Sequence, residues 1–165
     1  MLARVITGGQ TGADQAGWRA ARAAGLATGG WMPRGFLTEA GPRPEFAARF
    51  GAMEAASEDY TERTLANVRA SDASLIFAVE PPGPGTTLTI AACRDARKPY
   101  LVIHLPAGEG EPRAEEVARW LRDLDVGTLN VAGDRESHAT GVGALVESFL
   151  SDVLLAYRRM PGGPS

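Results

Sequence analysis

A glycine-rich turn near the start of the sequence carries the residues best suited to bind an anion. It follows an apolar run at 2–7 and precedes an alanine-rich stretch that predicts a helix over 14–24. Backbone N–H groups are free at such a helix N-terminus, where the helix dipole adds partial positive charge. Glycines let the backbone approach a ligand closely. The turn therefore predicts a phosphate or other anion site, with the candidate binding residues Gly8, Gly9, Gln10, Thr11, Gly12 and Asp14.

The spacing of this turn differs from the common nucleotide motifs. A P-loop requires a lysine directly after its last glycine, and the only lysine of the chain is Lys98. The dinucleotide fingerprint requires G-x-G-x-x-G, which the glycines at 8, 9 and 12 do not match. The acidic ribose ligand expected about 20 residues later is also missing. These differences argue against an ATPase and against an NAD-dependent dehydrogenase.

A second candidate anion site follows the apolar run at 74–79. Residues 82–87 read Pro-Gly-Pro-Gly-Thr-Thr and precede a predicted helix, so backbone amides and two hydroxyls can face an anion there. Its candidate binding residues are Gly83, Gly85, Thr86 and Thr87. The alternative is a capped helix with ordinary Pro-Gly turn chemistry.

Other polar and aromatic residues fall in loops beside these two turns. Arg34, Arg135 and Ser137 are further candidates for binding an anion, and surface roles are the alternative for the arginines. Trp31 is a candidate for stacking on a flat ring, with a core tryptophan as the alternative. The two histidines follow different predicted strands, and no catalytic triad can be argued from them. We therefore assign no catalytic residue and no metal ligand.

Alternation of apolar and helical segments predicts the fold. Strands are predicted at 2–7, 27–31, 74–79, 100–105 and 128–132, and helices at 14–24, 61–70, 87–96, 113–124 and 143–157. Continuously apolar strands indicate a sheet covered by helices on both faces. The pattern predicts an α/β fold with a mainly parallel five-stranded sheet. The special turns all follow strands, so they should meet at one edge of the sheet.

The stretch 33–57 shows only a faint helical pattern, at 45–54. A long irregular connection in a compact domain is usually functional. It begins after the second predicted strand, on the side of the glycine-rich turn. We expect it to form a wall or lid of the site.

Composition limits the class of protein. A chain of 165 residues predicts one ligand-binding domain, at 1–158, followed by a disordered tail at 159–165. The net charge of −3 argues against nucleic-acid binding through bulk electrostatics. A lone cysteine, Cys93, excludes an internal disulfide and a multi-cysteine metal site. With neither a signal peptide nor a membrane span in the pattern, we expect a cytoplasmic protein.

Taken together, the turns resemble those of the molybdenum-cofactor carrier family. The similarity extends over nearly the whole chain, in segments at 7–14, 29–35, 60–72, 85–89 and 129–137. They read TGGQTGAD, GGWxPxG, YxxRTxxNVRxSD, GTxLT and LNVAGxRES. Each is weak alone, and together they are specific.

The resemblance implies a Rossmann-like, doubly wound fold of the superfamily that includes lysine-decarboxylase-like proteins and phosphoribohydrolases. It implies binding of molybdenum cofactor, an anionic phosphorylated pterin, by a homo-oligomer, a dimer or a tetramer. Molybdoenzymes or proteins of cofactor biosynthesis would be its partners. Two positions depart from the family: Met32 stands where relatives often carry cysteine, and Asp134 where proline is common.

The same superfamily offers an enzyme as the alternative: a nucleotide-binding protein or a hydrolase of nucleoside monophosphates. Phosphoribohydrolases carry P-G-G-x-G-T-x-x-E, whose glutamate serves catalysis, and here Thr89 stands at that position. A threonine cannot replace a carboxylate in activating water or stabilising an oxocarbenium-like centre. The resemblance therefore favours a binding protein, and Asp14 or Glu80 would have to supply the acid in a hydrolase.

Overall fold

The computed structural model describes residues 1–161 and has an α/β fold with a parallel sheet at its centre. The strands are β1 (Arg4–Ile6), β2 (Ala27–Met32), β3 (Leu37–Thr38), β4 (Gly41–Pro42), β5 (Ala52–Glu54), β6 (Ala73–Ala78), β7 (Tyr100–His104) and β8 (Thr128–Gly133). The helices are α1 (Ala13–Ala23), α2 (Phe46–Phe50), α3 (Tyr60–Ala70), α4 (Pro84–Asp95), α5 (Ala114–Asp123) and α6 (Val142–Arg159). The predicted Rossmann-like, doubly wound architecture is confirmed.

Helices cover both faces of the sheet. On one face, α6 packs between α1 and α5 over the main apolar core, which includes Leu75, Phe77 and Val131. On the other face, α3 packs beside α4 over a smaller cluster that includes Ile76 and Cys93. Every residue of β6 is buried, because alternate side chains of this strand enter the two clusters.

The prediction of five strands was wrong, because the sheet has six, in the order β5-β2-β1-β8-β6-β7. The missed strand, β5, lies inside the stretch interpreted as irregular and pairs in parallel with β2. It has three residues, and two of them, Met53 and Glu54, are exposed. An edge strand of three residues, Ala-Met-Glu, is too short to show an apolar run in the sequence. The faint helical pattern before it is α2, which ends where Gly51 adopts a φ of 71°.

The rest of that stretch forms a small hairpin, β3–β4, hereafter the hairpin. Its strands pair Leu37 with Pro42 and Thr38 with Gly41, leaving Glu39 and Ala40 at the tip. Glu39 also donates its backbone N–H to the Gln10 side-chain oxygen at 2.9 Å. The hairpin therefore reaches the glycine-rich turn that follows β1.

The central strands create a crevice at the carboxyl edge of the sheet. Strand β8 leads to α6 on one face, while the adjacent strand β6 leads to α4 on the other face. Where neighbouring strands send their connections to opposite faces, the loops separate and leave room for a ligand. The loops after β6 and β8 therefore border the expected binding position.

The two ends of the described chain lie side by side. The backbone N–H of Leu2 donates to the Tyr157 hydroxyl at 2.9 Å, and Met160 packs against the main core. Helix α6 includes Arg159, so regular structure extends past the predicted start of the tail; residues 162–165 of that tail lie outside the described residues. Among residues 1–161, no helix combines the length and the apolar character needed to cross a bilayer.

Candidate functional site

A cavity of about 310 Å³ lies in the crevice at the carboxyl ends of β1, β6 and β8. The loop after β1, the start of α4 and the loop after β8 supply most of its wall, and α3 contributes Arg63. Its lining residues are Gln10, Asp14, Arg63, Gly83, Pro84, Gly85, Thr86, Thr89, Ala132, Gly133, Asp134, Arg135, Ser137 and His138.

A buried ion pair forms one side of the cavity. Arg63 Nη1 lies 3.6 Å from Asp14 Oδ2, and the two side chains are 10% and 3% exposed. Asp14 also accepts the backbone N–H of Gln10 at 3.1 Å. Burial raises the pKa of Asp14 despite the opposing charge of Arg63, and burial lowers the pKa of Arg63. Both charges are therefore costly here, and at 3.6 Å they compensate each other only in part.

The Tyr60 ring helps to position two guanidinium groups beside the cavity. Its centroid is 5.5 Å from the Arg63 guanidinium carbon and 5.4 Å from that of Arg135. Such cation–π contacts hold both positive groups near one another. The cavity wall consequently carries two cations, of which Arg63 is nearly inaccessible to solvent.

Two buried donors of the cavity lack a hydrogen-bond partner within residues 1–161: Gln10 Nε2 and Arg63 Nε. The Gln10 oxygen is engaged, since it accepts the backbone N–H groups of Thr11 and Glu39. A buried donor without an acceptor costs about 1–3 kcal/mol. Both residues line the cavity, so an acceptor on a ligand bound there would complete the hydrogen bonding of these side chains.

Gly8 permits Arg63 to reach this position. A Cβ on Gly8 would lie 1.9 Å from Arg63 Nη1 and 2.9 Å from Asp14 Oδ2. Only a residue without a side chain can therefore face the guanidinium at this distance. Gly8 therefore has two roles: it belongs to the glycine-rich turn, and it leaves room for the Arg63 guanidinium.

Gly8→Ala should displace the guanidinium and weaken the binding of inorganic phosphate about ten-fold, because the charge moves away from the cavity. The free energy of unfolding should fall by about 1–3 kcal/mol through overpacking. Isothermal titration calorimetry and urea unfolding measure the two effects. Gly108→Ala is the matched control, since nothing lies within 4 Å of a Cβ there. Unchanged phosphate binding in Gly8→Ala would show that the Arg63 position is irrelevant to the site.

Asp134 organises the loop at the start of α4. Its carboxylate accepts the backbone N–H groups of Val79 and Gly83 at 2.7 Å each, and the Thr86 hydroxyl at 2.5 Å. Asp134 is 2% exposed, and its carboxylate places a buried negative charge beside the N-terminus of α4, where the helix dipole favours it. The backbone N–H groups of Gly85 and Thr86 belong to the first helical turn, where no intrahelical acceptor exists.

Glu39, at the tip of the hairpin, brings a second carboxylate to the site. Its oxygens accept the hydroxyls of Thr11 and Ser137, and the Ser137 backbone N–H at 3.2 Å. Arg135 Nη1 lies 3.8 Å away. The Glu39 side chain is only 18% exposed, whereas the residue as a whole, backbone included, is exposed. Burial raises the pKa of Glu39, but the hydrogen bonds from Ser137 and Thr11 outweigh it, so the pKa lies below its ordinary value.

The lowered pKa of Glu39 predicts a pH-dependent contribution to stability. Because the native pKa lies below the unfolded one, the contribution is present at neutral pH and is lost as the pH falls from 4.5 through the native value. Glu39→Gln should therefore be less stable than the wild type at pH 7 and equal to it once the carboxyl is protonated. Urea unfolding of both proteins between pH 3 and pH 7 measures the difference between their free energies of unfolding. A difference that does not change with pH would contradict the prediction.

The structure brings together part of the set expected from sequence. The expected residues that line the cavity are Gln10, Asp14, Gly83, Gly85, Thr86, Arg135 and Ser137. Gly8, Gly9, Thr11 and Gly12 lie in the turn beneath them, and Thr11 contacts Glu39. Trp31, Arg34 and Thr87 are outside the lining. The Trp31 backbone N–H donates to the Asn67 side-chain oxygen and its carbonyl accepts from the Asn67 side-chain NH₂, while Arg34 lies 3.7 Å from Glu58 on the surface.

Arg63, Glu39 and Asp134 were not among the residues expected at the site. Arg63 lies 49 positions from Asp14 in the sequence, and only its place in the segment YxxRT distinguishes it from a surface arginine. Glu39 stands in a stretch without regular pattern, so no sequence signal placed it near Thr11. Asp134 was noted only as a departure from the proline common in the family; in the structure its carboxylate accepts hydrogen bonds from three donors.

Comparison with known proteins identifies the family. A sequence model of the circularly permutated YpsA SLOG family matches residues 5–154. The chain belongs to this family. A crystal structure named "Putative molybdenum carrier protein", from Syntrophus aciditrophicus SB, is 31% identical to this chain, covers 94% of both chains and superposes with a TM-score of 0.80. No protein with a curated description matches.

The strand order of the sheet contains a single reversal. Counted from β8 through β1, β2, β5, β6 and β7, the sheet order becomes 4-3-2-1-5-6. In this numbering, strands 1 to 4 follow one another outward from β8 to one edge of the sheet, and strands 5 and 6 lie on the other side of β8. The direction of the strand order therefore changes once, between β8 and β6. The single reversal is the crevice that contains the cavity.

Sulfur is absent from the cavity wall described here. Met32 is fully buried, and its Sδ packs beneath Gly9, where a Cβ would lie 2.6 Å from it. Cys93 is buried in the cluster on the α3–α4 face, where burial raises the pKa of its thiol. Among residues 1–161, no group of three or more histidine, cysteine, aspartate or glutamate side chains could hold a metal ion.

Proposed function

We propose that this chain is a cytoplasmic carrier that binds molybdenum cofactor, an anionic phosphorylated pterin, at the carboxyl edge of its sheet. The observation that carries the proposal is a pair of buried donors on the cavity wall, Arg63 Nε and Gln10 Nε2, which have no hydrogen-bond partner within residues 1–161. A phosphate oxygen is the acceptor that such donors suit best. The fold similarity to a protein named as a molybdenum carrier supports the choice of ligand.

The electrostatics of the cavity support an anion as the ligand. Arg63 is buried with only one acidic neighbour, at 3.6 Å, and burying an incompletely compensated charge costs several kcal/mol. Asp134 is already satisfied by the loop that it caps. An anionic group beside Arg63 would complete the hydrogen bonding of the guanidinium and recover part of that cost. The N–H groups at the start of α4 face the same cavity.

The residues fit the phosphorylated part of this ligand better than its metal. Arg63, Gln10 and the first turn of α4 would hold the phosphate, and burial would shield the cargo from solvent. The molybdenum would remain bound to the dithiolene sulfurs of the pterin, since no protein sulfur lines the cavity. We propose no bond-making step, which agrees with Thr89 at the wall where phosphoribohydrolases carry glutamate.

Native mass spectrometry of protein purified anaerobically from a molybdenum-supplied host tests the proposal. We expect a bound mass of the pterin–molybdenum compound on a homo-oligomer, a dimer or a tetramer, and loss of that mass in Arg63→Met. Transfer to an apo-molybdoenzyme tests the carrier role in the same preparation. The proposal fails if the protein, supplied with cofactor at micromolar concentration, retains neither the cofactor nor a fragment that carries its phosphate.

Asp14 favours a second candidate, a nucleotide-binding protein that hydrolyses nucleoside monophosphates. Burial raises the pKa of Asp14, and its carboxyl lines the cavity, as an acid or base would need to. Glu80 is exposed and outside the lining, so it does not compete for this role. Chromatography of adenosine monophosphate incubated with the protein would detect released adenine. The hydrolase candidate requires that the wild type release adenine and that the Asp14→Asn variant release none.

A further inference from the structure

Four groups at the cavity mouth surround one carboxylate of the chain itself. The hydroxyls of Thr11 and Ser137, the Ser137 backbone N–H and the Arg135 guanidinium all face the Glu39 side chain. This is a complete set of anion-binding groups: two hydroxyl donors, one amide and one cation. We call Thr11, Arg135 and Ser137 the outer subsite.

The outer subsite is continuous with the cavity. Arg135 and Ser137 line the cavity as well as contacting Glu39. Gln10 joins the two regions from inside: its oxygen accepts the Glu39 backbone N–H, and its unpartnered Nε2 is buried at the wall. A ligand bound against Arg63 and Gln10 therefore lies next to the hairpin that carries Glu39.

We infer that the outer subsite is a second anion-binding position, which Glu39 fills as an internal substitute, and that a ligand with two anionic groups displaces it. The inference rests on the proposed function for the first anionic group, which binds against Arg63 and Gln10. It adds the chemical class of the second: a carboxylate, a phosphate or another oxyanion on the same ligand.

The attachment of Glu39 is suited to displacement. It stands at the tip of a hairpin with two paired residues in each strand, and the backbone of Glu39 and Ala40 is exposed. The hairpin contacts the cavity wall through the Glu39 carboxylate and through the hydrogen bond that the Glu39 backbone N–H donates to the Gln10 side-chain oxygen. Exchange of one carboxylate for another oxyanion conserves the donors of the subsite, so little hydrogen bonding is lost in the exchange.

This arrangement would select ligands by their number of anionic groups. A ligand with one group can occupy the inner position while Glu39 remains in place. A ligand with two groups gains the outer donors, but only after it has displaced the internal carboxylate. Glu39 therefore lowers the affinity of the protein for ligands with two anionic groups and leaves its affinity for ligands with one group nearly unaffected.

Isothermal titration calorimetry with inorganic phosphate and with inorganic pyrophosphate tests the inference. We expect the wild type to bind one phosphate per chain and Glu39→Ala to bind two, because the outer donors are then free. Pyrophosphate affinity should rise about ten-fold in Glu39→Ala. In the double variant Glu39→Ala/Ser137→Ala, the second phosphate and the gain for pyrophosphate should both disappear. Glu45→Ala is the control: it removes the same charge from the same segment, where the Glu45 side chain lies 3.7 Å from Arg43 and outside the cavity lining.

The outcomes separate this inference from the function on which it rests. One phosphate per chain in both the wild type and Glu39→Ala, with unchanged pyrophosphate affinity, would overturn the outer subsite and leave the carrier proposal standing. Loss of pyrophosphate binding in Glu39→Ala would also overturn it, since Glu39 would then be part of the binding surface. Absence of phosphate binding in the wild type at any tested concentration would count against the proposed function itself. Hydrogen exchange of the hairpin amides supplies an independent readout: pyrophosphate should accelerate exchange at Glu39 and Ala40 in the wild type.

Discussion

Arg63→Met should lower the affinity of the protein for inorganic phosphate by about 100-fold. The substitution keeps the length and apolar part of the side chain but removes a charge that is almost fully buried at the cavity wall. Loss of one partner from a buried charge-assisted contact costs about 2–5 kcal/mol, which corresponds to a factor of at least 30 in affinity. Calorimetric titration at low ionic strength measures the loss.

The same substitution should also destabilise the fold, because Asp14 is left buried without its cation, at a cost of about 3 kcal/mol. The double variant Arg63→Met/Asp14→Asn separates the two effects: its stability should recover while phosphate binding stays lost. Arg69→Met is the matched control, an exposed arginine on the same helix. Phosphate binding that survives in a folded Arg63→Met protein would show that the anion binds elsewhere.

Asp134→Ala should reduce the free energy of unfolding by about 4 kcal/mol. The substitution leaves three donors without their acceptor, the N–H groups of Val79 and Gly83 and the Thr86 hydroxyl. Each unsatisfied buried donor costs about 1–3 kcal/mol, and the helix N-terminus also loses its favourable negative charge. Urea unfolding followed by circular dichroism measures the change.

Asp134→Asn should be about half as damaging, since the amide retains one acceptor oxygen while its NH₂ group faces a donor. Asp123→Ala, at the exposed end of α5, controls for loss of an aspartate and should stay within about 0.5 kcal/mol of the wild type. A loss below about 1 kcal/mol in Asp134→Ala would mean that the loop relaxes and satisfies its donors by another route.

The fold was largely predictable because its strands and helices carry strong local patterns. The continuously apolar β6 and the alanine-rich α1 each indicate their structure within a few residues of sequence. Strand β5 could not be predicted this way, since pairing with β2 at the sheet edge, and not its own composition, makes Ala52–Glu54 a strand. Tertiary contact decided the structure there.

The candidate site was predictable only where its chemistry is local. The turns after β1 and β6 are visible in the sequence because glycines and hydroxyls stand next to one another. Arg63, in contrast, reaches the cavity from the opposite side of the sheet, past a glycine 55 positions earlier. Glu39 is placed by the hairpin, whose two-residue strands have no detectable period. Residues that are so distant in sequence can be recognised as neighbours only once the fold is known.

The position of β8 has a consequence for synthesis on the ribosome. Strand β8 joins the half-sheet β5-β2-β1 to the half-sheet β6-β7, yet of the strands within residues 1–161 it is the last to be made. Until residues 128–133 emerge, β1 and β6 each keep an open inner edge, of the kind that pairs wrongly or aggregates. The binding crevice therefore cannot form before β8 has been made, and a nascent chain that stalls before β8 has two exposed sheet edges and no site.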